Sequence, residues 1–472
     1  TEGEGEGEGH GEGGEEHGGH EGNKGITVTS AACLLGMVAS IQVMFYLVNC
    51  RFKLVRLMTW KMASSTVSIF CAILLWSTLD AFHQEFIVPT LGWMAIPHLP
   101  VNLFIVVWII CQGGLYANLH NMEMTAAVST LGGHLTGFVA IAAFGHLQEK
   151  EWSSSPGMAL VCGLVFSAVV AVLTQIFIYF RLGVAMADDG QVDEKERLWF
   201  EKCQDYEDEV ISMVLGFLIA QAIRFALAGR FIAPHASPGD LPGDKAMIMI
   251  GAGFVVATIV ATFFRGRVKE DVKKFDLGGR GERTMSVFQS VLGMTSAWCS
   301  MFGFDWWMVT ELAKKLDSHM LSMLVMAMFV TGMAAVIVIL LNAVVMTFKV
   351  HTKVLRAIIS ATGLLVGLCW EKTFHHGIAA IAESGHMGGS TTSATIKLSL
   401  ALLVIVWPSW QWYILPKADP RLAKLSDQNR EDSGGSDEEI ARIAGSSDGS
   451  SNDGSEGSDE DISPFNLVQL KK

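Results

Sequence analysis

The chain has 472 residues, a net charge of −13 and a mean hydropathy of +0.38, and half of its residues are hydrophobic. The charge is uneven: residues 1–25 hold eight Glu against Lys24, net −7, and residues 427–461 hold twelve Asp or Glu against Arg430 and Arg442, net −10. What lies between and beyond is mildly basic, about +4, so the acidic balance describes the tails, and nothing marks a nucleic-acid binder.

A helix needs about 20 apolar residues to cross the hydrocarbon core of a bilayer. Eleven stretches of about that length follow one another: Ile26–Val48, Leu57–Leu79, Val101–Asn118, Thr125–Phe144, Met158–Phe180, Val210–Arg230, Ala246–Phe264, Met285–Val309, Met320–Met346, Leu355–Trp370 and Ser393–Leu415. Segments such as Met323–Leu341 are apolar all round, unlike the one-sided helices of soluble proteins. The expected fold is all-α, a polytopic transmembrane helix bundle of about eleven spans in contact with the lipid bilayer.

Lys and Arg in short loops are retained on the cytoplasmic side. Alternate loops carry seventeen basic residues (Arg51, Lys53 and Arg56; Arg181, Lys195, Arg197 and Lys202; seven from Arg265 to Arg283; Lys349, Lys353 and Arg356) against six in the other set. This asymmetry places the N-terminus outside the cell or in a lumen and the C-terminus in the cytoplasm. The chain begins at Thr1, which fits a removed leader and a fragment boundary equally.

Five regions result. Residues 1–25 form a disordered Glu, Gly and His tail, with His10, His17 and His20, too polar to bury a core. Residues 26–182 form a first membrane half. Residues 183–245 combine the linking sixth span with a charged amphipathic segment, Glu194–Glu209, expected to lie on the inner membrane surface. Residues 246–416 form a second half, and residues 417–472 an acidic Ser-rich disordered tail whose Pro464–Leu470 end is a candidate docking peptide for a cytoplasmic protein.

The two halves share features in the same order. The second span carries Ser64, Ser68, Cys71, Thr78 and Asp80 as a stripe; the eighth carries Gln289, Gly293, Ser296, Gly303 and Asp305. The fourth and tenth each contain GxxxG, at Gly133-Gly137 and Gly363-Gly367. With one span between them, the copies would be parallel repeats, an arrangement common in transporters. Close helix packing alone also explains small-residue stripes and is the preferred account of them.

Ionisable residues at membrane depth are costly and tend to be kept for pairing or function. Asp80, His83, His146, Glu149, Asp305, Glu371, His375 and His376 fall toward the outer side, where an ordinary polar rim would also place them. His134 lies near the middle of the fourth span beside Gly132 and Gly133. Arg224 lies in the sixth span near Gln221 and needs a partner, for which Asp305 is the candidate. The candidate ion or proton path is therefore Asp80, His134, Asp305 and Glu371, and the candidate buried ion pair is Arg224 with Asp305.

No P-loop or HExxH pattern occurs, the eight cysteines show no CxxC spacing, and no enzyme activity, catalytic residue, metal or cofactor is expected. The expected function is movement of small cations or protons across a membrane. The alternative is a membrane scaffold, or a non-transporting subunit of a membrane complex. A transporter should show a polar path between its halves; a scaffold should be packed shut with its polar groups paired.

Overall fold

A computed structural model describes residues 18–83, 85, 99–119, 121–151, 154–185, 194–232, 240–267, 280–312, 319–347, 352–383 and 390–419. The proposed docking peptide and most of both tails lie outside the described residues. Each of the eleven apolar stretches falls on one helix, and no strand occurs among the described residues. The helices are α1 Gly18–Val48, α2 Lys53–Phe82, α3 Leu99–Ala117, α4 Met122–Glu151, α5 Pro156–Ala185, α6 Glu194–Ala228, α7 Asp244–Arg267, α8 Arg280–Trp307, α9 His319–Thr347, α10 Thr352–Glu383 and α11 Thr391–Ser409. A π-helical turn, Met308–Leu312, continues α8. Another, Trp410–Ile414, follows Pro408 of α11 and leads into the short α12, Leu415–Ala418. Proline has no N–H for the helical ladder, which accounts for the relaxed turn behind it.

Among the described residues six helices are long and apolar enough to cross a membrane: α2, α4, α5, α6, α9, and α11 with its extension through Ala418. Apolar parts of α1 (Leu34–Val48) and α3 (Val101–Ala117) are shorter. An all-helical chain with this many such helices is a membrane-embedded bundle, since a bilayer interior leaves backbone N–H and C=O groups only one another as partners.

Burial grades these helices, with α2 and α9 both at 44% between the extremes. In their most apolar windows α4 and α6 are 78% and 67% buried by protein, whereas α5 and α11 are each 22% buried. The outward faces of α5 and α11 present Leu164, Ile176 and Tyr179, and Val404, Ile405 and Trp412. The contacts explain the extremes. Helices α2, α4, α6, α8 and α10 pack in that order into a closed ring, α10 returning to α2. The odd-numbered helices pack outside it: α3 on α4, α5 on α6, α7 on α8, α9 on α10, α11 on α2, and α1 on α9.

The ring helices all run the same way. Along α4 and α6, Gly133 faces Glu209 and Gly137 faces Met213; along α10 and α2, Gly363 faces Ser65 and Gly367 faces Ile69. Both GxxxG motifs thus bring a ring helix close to its ring neighbour, the packing role expected of small-residue stripes. Gly216 of α6 meets α8 at Met294, and Arg224 further along α6 reaches Phe302 further along α8. The stretch after α11 ties the remaining starts together: Gln411 reaches Met124 at the start of α4, Lys417 covers Trp60 near the start of α2, and Asp419 pairs with Lys202 near the start of α6.

The charged segment Glu194–Glu209 does not form a separate helix. It runs without a break into the sixth span as the 35-residue α6, about 52 Å long at 1.5 Å per residue and so longer than a bilayer core of about 30 Å. Trp199, Cys203, Tyr206 and Val210 are buried along it, so its inner face packs on the bundle.

Candidate functional site

A side chain on one ring helix that touches both ring neighbours faces the axis of the ring, and among the described residues two ionisable groups do so. The first is His134 of α4. Its Nδ1 lies 3.2 Å from Ser68 Oγ of α2, and its Nε2 lies 3.2 Å from Glu209 Oε1 of α6. The imidazole is buried, while 29% of the Glu209 side chain is exposed. Gly133 makes this possible: a Cβ there would sit 3.2 Å from Glu209 Cβ, so only glycine lets α6 come this near without displacement.

The second is Asp305 of α8. Lys372 Nζ of α10 is 2.8 Å from its Oδ1, and Arg224 of α6 interacts with it electrostatically. Arg224 also donates to Gln221 Oε1 at 3.3 Å and stacks over the Phe302 ring at 4.6 Å. Arg224 and Asp305 therefore lie together, with Lys372 as a further cation beside Asp305. Glu371 is the residue next to Lys372 and lies half-buried at the same level of α10.

Helix α6 contributes to both stations, through Glu209 and Arg224, fifteen residues apart. That separation is about 22 Å along the helix, most of the thickness of a bilayer core. Between them the α6–α8 seam is filled by Met213, Phe217, Met294, Trp298 and Phe302, all buried. Trp298 donates its indole N–H to the Met213 carbonyl at 3.2 Å, and its ring packs against Phe217 and Phe302.

Asp80 belongs to neither station among the described contacts. It lies at the far end of α2, where its carbonyl accepts the His83 backbone N–H, about 18 Å along the helix from Ser68. The side chain of His375 lies outside the described residues.

A third cluster occupies the end where the ring helices begin. Glu207 of α6 is fully buried and accepts from Arg181 of α5 at 2.8 Å, from Arg283 of α8 at 2.8 Å and from Gln112 of α3 at 3.4 Å. Arg283 also holds Asp208 at 2.7 Å. Two arginines and two carboxylates balance here and bind α5, α6 and α8 to one another. Glu207, Asp208 and Glu209 fall in the segment expected on the membrane surface, where a run of acids carries no mark of burial. The spacing Trp199, Cys203, Tyr206, Val210 carries an apolar stripe straight into the sixth span and is the signal that this segment is packed.

Among the described residues no three His, Cys, Asp or Glu side chains converge as metal ligands. Comparison of the chain with protein-family models, with curated proteins and with solved structures finds no match.

Proposed function

We propose that the chain spans the membrane eleven times and moves protons or small cations across it along the axis of the five-helix ring. The observation that carries this reading is the line Ser68–His134–Glu209, which crosses three ring helices with the ionisable group in the middle. Asp305 and Lys372 supply a second polar station nearer the other end. Buried ionisable groups are expensive in a bilayer and are tolerated where they serve an ion path or a pairing.

Several features support the finer topology. Among the described residues, Lys53 and Arg56, Lys195 and Arg197, Arg280 and Arg283, and Lys353 and Arg356 stand near the starts of α2, α6, α8 and α10, so these basic positions fall at one end, as a cytoplasmic end requires. With eleven spans the N-terminus is then outside or lumenal and the C-terminal tail cytoplasmic, available to a cytoplasmic partner. Parallel five-span repeats draw support from matched pairings: α2 with α4 and α8 with α10, α3 with α4 and α9 with α10, α1 with α2 and α7 with α8. Enzymatic chemistry forms no part of the proposal.

The scaffold reading draws on a different observation, the apolar filling of the α6–α8 seam between the stations and the balanced pairing of Glu207, Asp208, Arg181 and Arg283. Reconstitution in liposomes separates the two. Proton or alkali-cation flux in the intact chain that falls in Asp305→Asn and His134→Ala supports transport; no flux under imposed pH, ion and voltage gradients removes it and leaves the scaffold.

A further inference from the structure

We infer that His134 is a proton-binding site, which makes the proton the substrate of the ring; this rests on the transport reading above. The chemistry of the contacts argues for a proton over a metal cation. Both imidazole nitrogens are committed, Nδ1 to a hydroxyl and Nε2 to a carboxylate, so no lone pair is directed at a free coordination site. Hard cations take several oxygen ligands, about six to eight for calcium, and the groups gathered at His134 are one carboxylate and one hydroxyl.

The same heavy-atom positions satisfy His134 in both protonation states. Ser68 Oγ lies 3.2 Å from His134 Nδ1 and also 2.9 Å from the Ser65 carbonyl oxygen of its own helix. When the imidazole is neutral with its proton on Nε2, Ser68 donates its O–H to Nδ1 and the Nε2–H faces the Glu209 carboxylate. When the imidazole is charged, Nδ1–H donates to Ser68 Oγ, and the hydroxyl turns its own proton to the Ser65 carbonyl. Only a hydroxyl hydrogen has to rotate. An imidazole with one fixed donor and one fixed acceptor would instead leave a buried polar atom unpaired in one state, at substantial cost.

Glu209 gives the route in. Its partly exposed carboxylate continues a face of α6 that starts at Asp205, which is 54% exposed, and passes Asp208 before closing at buried Ser212. The other neutral tautomer, protonated on Nδ1, is held by the same atoms: Nδ1–H donates to Ser68 Oγ, and Nε2 accepts from Glu209 protonated as a carboxylic acid, whose proton then transfers to Nε2. The products are a carboxylate and an imidazolium, with no other bond made or broken. The other groups on helices packed around this part of α4 are Tyr206 of α6, which shares a hydrogen bond with Thr136, and Cys111 of α3 beside Gly132. Helix α2 presents the hydroxyls of Ser65 and Ser68, and α5 contributes no charged group to the contacts described around His134.

The test uses the full chain in liposomes, with proton, Na⁺ and K⁺ flux recorded in parallel, and imidazole nitrogen NMR of the same purified protein. Proton flux should fall on the order of a hundredfold in His134→Ala and less in Ser68→Ala, which keeps the imidazole but removes its Nδ1 partner. Ser68→Ala also serves as the second variant should His134→Ala not fold. An imidazole resonance lost in His134→Gln should titrate in the wild-type chain. Flux of Na⁺ or K⁺ without protons overturns this inference and leaves transport standing. No flux of any ion overturns both. A His134 resonance that holds one protonation state from about pH 5 to 8 overturns the inference even where protons cross.

Discussion

Replacing Glu207 tests whether the ionic cluster at the start of the ring holds the bundle together. In Glu207→Ala, Arg181 keeps its charge at 1% exposure with the Phe200 ring and the Cys203 thiol as its remaining neighbours among the described contacts. Removing one partner of a buried ion pair typically costs about 3–5 kcal/mol. Arg283 loses one contact but retains Asp208 and is 24% exposed, so it adds little to the loss. Arg181→Ala is expected to cost less than Glu207→Ala, because Glu207 keeps Arg283 and Gln112. The double variant Arg181→Met with Glu207→Leu removes both buried charges, leaves Arg283 paired with Asp208, and should return to within about 1–2 kcal/mol of the native chain. The assay is reversible unfolding in mixed micelles, read as a double-mutant cycle. If each single variant costs less than about 1 kcal/mol, as exposed pairs do, the cluster is not the constraint its burial implies.

Other outcomes follow from single contacts. Gly216→Ala places a Cβ 2.7 Å from Met294 Cβ and 2.9 Å from Thr295 N, so α6 and α8 must separate; a loss of about 1–3 kcal/mol is expected, while Gly332→Ala, with open space around it, should show none of that loss in the same unfolding assay. Lys372→Met removes the 2.8 Å partner of Asp305 and leaves Arg224 as its cation; a loss of thermal stability that Asp305→Asn largely relieves in the double variant is the expected pattern. Trp410→Phe forfeits the 3.0 Å bond from the indole N–H to Ser64 and should cost about 1 kcal/mol by unfolding, with tryptophan fluorescence reporting the change.

Much of this architecture was legible because lipid-compatible helices announce themselves by length and apolarity. Each of the eleven stretches corresponds to a helix, and the paired glycines of α4 and α10 do pack helices closely. The ring was not legible. Whether α2 lies inside and α1 outside depends on contacts between residues hundreds of positions apart, such as Thr66 with the Gly363 carbonyl, and apolar composition is alike for lipid and for protein surroundings. His134 and Asp305 stood out because they interrupt apolar runs. Their partners did not: Lys372 lies at the edge of a span, and Glu209 at the junction of a charged segment with an apolar one. A charge at such a boundary looks solvated until the helix is known to continue through it.

The shared direction of the five ring helices has an electrostatic consequence. Each helix carries the equivalent of about half a positive charge at its start and half a negative charge at its end. The odd-numbered helices oppose this, but they stand outside the ring and farther from its axis. The end where the ring helices finish is therefore the negative one, and Asp305 lies in the last turn of α8, whereas Glu371 stands about 18 Å before the end of α10. A cation near that end is drawn by the backbone as well as by the Asp305 carboxylate, and neutralising Asp305 would leave part of that attraction in place.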